Sequence, residues 1–212
     1  MGICIYYSMP GDPLSEQDWT AMTSCLPEEL LRKAERLRHQ ADRQAAVIGK
    51  WMLAKAMKDH GIPGGLERLR YTSQGRPYIG PGFDFNISHC GRAVVLACSR
   101  RSRVGVDLES VQPLELSLYR QHIPPKAWAR INASPDPSAQ FYHYWTSREA
   151  ILKAAGPGLN ASPLSVETLS DGAVRFNQQR WYLRNVNLAP GYVCHLASSG
   201  EPAALEMFHL VG

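Results

Sequence analysis

The chain has 212 residues, is 44% hydrophobic and 20% charged, and carries a formal net charge of +4, a globular composition with enough chain for one large domain or two small ones. No apolar run approaches the roughly 20 residues that cross a bilayer, and the mild positive charge lacks the concentrated stripe of a nucleic-acid binder, favouring phosphate ligands or acidic partners. Five scattered cysteines (Cys4, Cys25, Cys90, Cys98, Cys194) without a Cys-x-x-Cys pair, and seven histidines without a His-Glu-x-x-His motif, speak against a disulfide framework and a zinc site.

The N-terminus has no basic leader followed by an apolar core, so a cytoplasmic protein with reduced thiols and no membrane contact is expected. Tyr6 stands where a myristoylation signal has Ser or Thr. Ile3 to Tyr7 (ICIYY) is a β-prone run, ended by the turn Pro10-Gly11-Asp12. From Pro27 to His60 the sequence is helical in character. Pro27 suits a first turn, Glu28 and Glu29 complement the positive end of the helix dipole, and Gly61 with Pro63 stops the run. That length predicts two helices breaking near His39 to Asp42, the first made basic by Arg32, Lys33, Arg36 and Arg38.

Next come a strand around RLRY, a Gly75-Arg76-Pro77 turn, a strand over Phe83 to Ser88, and two more in AVVLACS and RVGVDLE. Their short spacing predicts antiparallel pairing. Pro113 opens a stretch of loop and short helix that ends at ASPDPS. The segment SAQFYHYWTSREAILKAAG reads as a second long helix, closed by Gly156 and Pro157. Four short strands follow, in AVRF, RWYLRNV, YVCHLA and ALEMFHL. Strands and helices mix without regular βαβ alternation, so the fold class is α+β. No internal repeat is visible.

Four places carry candidate chemistry. Asp107 and Glu109 lie two apart on one strand face, roughly 6–7 Å apart, close enough for carboxylates to share a hard cation such as Mg²⁺. The alternative is a strand edge with two solvated acids. Glu149 and Lys153 share a helix face as a surface pair or, bordering the aromatic stripe of Phe141 and Trp145, as the lining of a cleft. Ser88, His89 and Gly91 at a strand end are either ordinary structure or a phosphate contact, and Arg76 is either a turn residue or a partner for a phosphate or a base.

Taken in order, the elements FNISH (Phe85 to His89), GVDLE (Gly105 to Glu109) and WTSREAILK (Trp145 to Lys153), preceded by the Gly-Arg-Pro turn, resemble the 4′-phosphopantetheinyl transferases of the two-lobed surfactin-synthetase-activator type. The match runs from about Glu28 to Leu159; the last fifty or so residues carry no motif. The resemblance implies two similar α+β lobes, here 1–106 and 107–212, with coenzyme A in the cleft between them, in a monomeric chain. It implies transfer of the phosphopantetheine arm of coenzyme A to a serine of an apo acyl or peptidyl carrier protein, releasing adenosine 3′,5′-bisphosphate.

By the same resemblance Asp107, Glu109 and Glu149 bind Mg²⁺ (or Mn²⁺), and Glu149, directly or through a water, is the base. Lys153 offsets charge on the phosphate or leaving group. Ser88 and His89 hold the adenosine 3′-phosphate, Arg76 and Pro77 border the adenine, and Arg43 and Arg32 are further phosphate contacts. Three departures stand out: Cys90 where a serine or threonine is common, Arg148 for a lysine, and Lys126 and Ala127 in a loop that often carries glutamate. A metal-dependent phosphodiester hydrolase and a non-catalytic coenzyme A or nucleotide binder are the competing readings. The first gives no reason for FNISH, and the second has no use for the acids.

Overall fold

A computed structural model describes residues 2–9, 15–156, 163–169, 172–201 and 204–210. The predicted turn at Pro10 to Asp12 and the helix-closing Pro157 lie outside the described residues. Two sheets organise the chain. In the first, β1 (Ile3–Ser8) pairs antiparallel with β5 (Ala93–Ser99), whose other edge takes β4 (Asp84–Cys90). The last strand, β11 (Leu205–His209), returns to pair parallel with β1, giving the order β11-β1-β5-β4. The second sheet is antiparallel throughout, in the order β6 (Val104–Ser110), β10 (Tyr192–Ser198), β9 (Gln179–Asn185), β8 (Val174–Phe176), β7 (Glu167–Thr168). The hairpin of β2 (Arg70–Tyr71) and β3 (Pro77–Tyr78) turns at Gly75, whose φ of 81° suits glycine.

The predicted helical run divides into α2 (Glu28–Glu35) and α3 (Gln40–Asp59). The break therefore falls at Arg36–His39, slightly earlier than expected. His39 takes the extended N-cap conformation without a side-chain cap, so no capping residue marks the boundary in the sequence. An unforeseen helix, α1 (Glu16–Ser24), starts where the Ser15 hydroxyl accepts the Asp18 N–H at 3.1 Å. The predicted short helix is α4 (Pro125–Asn132). The second long helix, α5 (Pro137–Ala155), is capped by the Asp136 side chain and closed by left-handed Gly156.

Each long helix lies on a sheet. On α3, a β-carbon at Gly49 would stand 3.1 Å from Ile87 of β4, so the glycine lets helix and strand approach closely. Met52, Leu53 and Ala56 of α3 pack with Phe85, Val94 and Leu96. The other face of that sheet (Ile3, Ile5, Val95, Ala97) packs on Val104, Val106, Leu108 and Leu196 of the second. Buried on both faces, β5 reads as the unbroken apolar run AVVLACS. Beneath α5, Ala150, Ile151 and Ala154 meet Val174, Phe176 and Trp181.

The sheets also meet edge to edge, where β4 runs parallel to β6 without backbone pairing. Side chains of β4 accept the amides of β6 instead: Asp84 from Val104 (2.7 Å), Asn86 from Val106 (2.9 Å), Ser88 from Leu108 (3.3 Å) and Cys90 from Ser110 (3.3 Å). The polar half of the alternating segment DFNISHC is this ladder. No helix among the described residues is long and apolar enough to cross a membrane.

Candidate active site

The site is set by where α5 crosses β6. A β-carbon on Gly105 would overlap the Ala150 carbonyl oxygen and the Ala154 amide, so only glycine admits the helix at that distance. Two residues on, and therefore on the same face, Asp107 lies under the helix and is only 4% exposed. It is not a solvated strand edge. Glu149 is 5% exposed, and Lys153, one turn later, bonds Asp107 rather than Glu149. The surface-pair reading of Glu149 and Lys153 is thereby replaced by a buried cluster.

Lys153 Nζ donates to Asp107 Oδ1 at 2.5 Å and to Ser88 Oγ at 3.0 Å, and Ser88 Oγ donates to Asp107 Oδ1 at 3.1 Å. With the Leu108 amide as its third contact, the Ser88 hydroxyl is fully used. Asp107 Oδ2, in contrast, is buried without a partner among the described residues. Burial first, and then the charge of Asp107, push the carboxyls of both Glu149 and Glu109 above the usual range. Acids gathered this way with an unused oxygen are out of electrostatic balance as they stand.

An all-oxygen donor set and a free buried lone pair fit a hard divalent cation. Among the described residues no three His, Cys, Asp or Glu side chains stand close enough to enclose a metal ion. The fit is one of donor chemistry.

A second group of residues extends from this cluster along α3. His89 stands at the end of β4, on the face of Ile87 against which α3 packs, with part of its surface open to solvent. The crowding of the ring by surrounding protein comes first in lowering its pKa, Lys153 and Lys50 add to the effect and Asp42 opposes it. Lys50, absent from the predicted set, is half-buried and has no hydrogen-bond or ion-pair partner among the described residues. Burial, and then Lys33 on α2, lower its pKa as well. The sequence signal for Lys50 was a lone charge in the apolar run AAVIGKWMLA. Lys50 and Lys153 thus both lie near enough to His89 to oppose its protonation, and Lys33, paired with Glu29 at 2.7 Å, does the same to Lys50.

Arg32 and Arg43 do not bond to the cluster. Arg32 pairs with Glu28 at 2.5 Å on the surface. Arg43 donates to the Leu37 carbonyl at 2.7 Å and lines a cleft of about 610 Å³ between α1, α2 and α3. Arg76 is buried and serves the protein: it bonds Asp84 at 2.7 Å, the Val104 carbonyl at 2.9 Å and the Lys153 carbonyl. It ties the turn to β4, β6 and α5, while Gly75 is exposed and Pro77, in β3, is half-buried.

The departures now have places. Cys90 holds the last rung of the ladder and also meets the Ser110 hydroxyl at 3.4 Å, so sulfur replaces the lost hydroxyl. Arg148 turns away from the acids, stacks over Tyr144 at 4.5 Å and donates to Ser147 and Thr168. Lys126 is exposed in the first turn of α4. A further clamp was not foreseen. Thr146 donates to the Tyr142 carbonyl and so receives the His195 Nδ1–H, both at 2.7 Å, and His195 sits directly across from Asp107 in the β10–β6 register.

Comparison with known proteins agrees over most of the length. The family described as 4′-phosphopantetheinyl transferase, N-terminal, matches residues 12–101, and the 4′-phosphopantetheinyl transferase superfamily matches residues 103–200. A 4′-phosphopantetheinyl transferase of Bacillus subtilis is 31% identical over 170 residues, covering 76% of this chain and 75% of that protein. The 4′-phosphopantetheinyl transferase Sfp of Bacillus subtilis (strain 168) is 26% identical, with 85% of each chain covered. The mouse L-aminoadipate-semialdehyde dehydrogenase-phosphopantetheinyl transferase is 32% identical over 68% of this chain and 53% of its own.

Proposed function

Because the chain belongs to the 4′-phosphopantetheinyl transferase superfamily, we propose that it moves the 4′-phosphopantetheine arm of coenzyme A onto a serine hydroxyl of an apo acyl or peptidyl carrier protein. Adenosine 3′,5′-bisphosphate is the second product. The observation that carries this reading is the unpartnered Asp107 Oδ2, buried beside Glu109, Glu149 and Lys153. A binder of nucleotides has no use for that arrangement.

In this reading the arm-bearing half of the pyrophosphate reacts over β6. The serine oxygen bonds to the phosphorus that carries the pantetheine, its proton passes to the Glu149 carboxylate directly or through one water, and the bond to the bridging oxygen breaks. Lys153 faces the charge that builds on the leaving phosphate. Asp107, Glu109 and Glu149 would hold Mg²⁺ or Mn²⁺, which neutralises pyrophosphate charge when bound. Ser88, fully engaged with Asp107, Lys153 and β6, positions the site, while His89 and Lys50 take the phosphate of the nucleotide end. Lys33 extends that track, with Arg43 and Arg32 as outlying contacts, and Pro77 borders the adenine. The ligand lies between an N-terminal lobe, 1–106, to which the returned strand β11 adds an edge, and a C-terminal lobe, 107–212. The protein acts as a monomer in the cytoplasm, where its five free thiols stay reduced.

The test is incubation of the protein with coenzyme A, Mg²⁺ and a panel of apo carrier proteins, followed by intact-mass measurement. One phosphopantetheine added to a carrier serine is the expected product. Unmodified carriers throughout, with folded enzyme and metal present, would overturn the reading.

A further inference from the structure

Among the described residues, two side-chain bonds join α5 to the strands directly beneath it: Lys153 to Asp107 on β6, and Thr146 to His195 on β10. The first lies among the reacting groups. The second stands outside them, yet at the centre of the frame that carries them. Thr146 precedes Glu149 by three residues, about 4.5 Å of helix rise, on the same side of α5. His195 is paired in register with Asp107, so the two share a sheet face with β-carbons roughly 4.5–5.5 Å apart. One bond thus ties the helix turn of one acid to the strand position beside the other.

The pin is fixed at both ends. Thr146 is fully buried, and its hydroxyl proton goes to the Tyr142 carbonyl, so toward His195 it can only accept. That places the imidazole proton on Nδ1. His195 lies on a strand paired on both sides, opposite Asp107 on β6 and Asn185 on β9. The His143 ring meets the His195 ring edge-on at 5.6 Å.

Packing alone does not call for this pair. Val193, Cys194, Leu196 and Ala197 flank His195 as buried apolar residues, and an aliphatic side chain in its place would fill the space without regard to angle. A polar pair gives up hydration for a bond of small net worth, about 0.5–1.5 kcal/mol, but of fixed direction. The Gly105 contact with Ala150 and Ala154 sets how near α5 comes to β6 rather than where along its axis the helix rests. The Lys153 bond is no lasting tether either, since in the transfer reading Lys153 turns to the leaving phosphate.

We infer that His195 is a positioning residue for the transfer: through Thr146 it holds the turn of α5 that carries Glu149 at a set place over Asp107. The base then meets the acceptor hydroxyl even as the Lys153–Asp107 bond is redistributed. The inference rests on the transfer reading above. His195 acts through Thr146 and Glu149, not on the substrate.

The experiment compares wild type with His195→Ala, Thr146→Val and His195→Asn in transfer to an apo carrier that the wild-type protein modifies, each variant first checked by a thermal melt. Asn offers an amide N–H where the Nδ1–H stands. The expected kcat is lower by about tenfold or more in His195→Ala and in Thr146→Val, with KM for coenzyme A and for the carrier within about twofold. His195→Asn should restore kcat to within about threefold of wild type. On a Glu149→Gln background, His195→Ala should change the single-turnover rate by less than about twofold, because the group it places is gone. Should His195→Ala not fold, Thr146→Val carries the same comparison.

An unchanged kcat, a rise in KM in its stead, no rescue by Asn, or an equal loss with and without Glu149 would overturn the inference. If the wild-type protein modifies no carrier, the transfer reading fails on its own, and the placement is read by amide hydrogen exchange. His195→Ala should then speed exchange from Thr146 to Lys153 by about tenfold, with β6 and β10 unchanged and the Asn variant like wild type. Equal exchange in all three proteins overturns it.

Discussion

The two oxygens of Asp107 are in different situations. Oδ1 is bonded to Lys153 and Ser88, and Oδ2 is buried and idle. A carboxylate left half-satisfied in a low-dielectric site is costly on its own, and its charge also raises the proton affinity of Glu149 and Glu109. Replacing Glu149 with Gln is therefore expected to lower transfer by about a hundredfold or more while raising the melting temperature, since a buried like charge is removed. Carrier modification and a thermal melt on the same preparation check both halves. The clamp at His195 gives a different kind of prediction. Burial, then His143 and Arg148, lower its pKa to about 4, so the folded protein resists a proton that the unfolded chain accepts near 6.5. Stability is complete above that pH and declines as pH falls from 6.5 toward 4, by about 2–3 kcal/mol from this residue. In His195→Gln, which keeps a donor for Thr146, denaturant titrations across that window should show the slope reduced.

Among the elements, the meeting of α5 and β6 is the least tolerant. Gly105→Ala would push a methyl into the backbone of α5 at Ala150 and Ala154. The expected cost is about 1–3 kcal/mol, with a larger loss of activity as Lys153 shifts from Asp107. Parallel melting and transfer assays measure it. The ladder between β4 and β6 is graded instead. Asn86→Ala strands the Val106 amide in the interior and should cost about 1–3 kcal/mol, whereas Cys90→Ser keeps an acceptor for Ser110 and should stay within about 0.5 kcal/mol of wild type. Chemical denaturation of the two variants side by side tests the contrast. Here the limit of sequence reading is visible. The motif residues were recognisable, but Asn86 serving Val106 and Gly105 serving α5 were not, because those partners are fixed by how distant segments fold onto each other. Arg76 shows the same limit: its residue type suggested a ligand contact, yet the fold commits its guanidinium to Asp84 and two carbonyls.

At the scale of the whole molecule, the first sheet is built from both ends of the chain. β11 pairs with β1, Phe208 stacks on Tyr6 at 4.9 Å, and His209 stacks on Tyr7 at 4.8 Å. Ending the chain before Ala204 should remove those stacks, about 0.5–1.5 kcal/mol each, and leave β1 as an open edge. A lower melting temperature and a greater tendency to aggregate by light scattering are expected. The α+β class and most strands were readable from alternation and turn residues. The unmotifed last fifty residues gave no hint that they supply both this edge strand and the His195 clamp, since neither role leaves a local pattern. The seam of side chains joining the sheets has a consequence for how such proteins diversify. A join made by backbone pairing is the same whatever the sequence, but here each rung is a separate residue choice. A lineage can exchange oxygen for sulfur at Cys90 or shorten a rung elsewhere, and so set the stiffness between the nucleotide-holding half and the acid-bearing half without redrawing a strand.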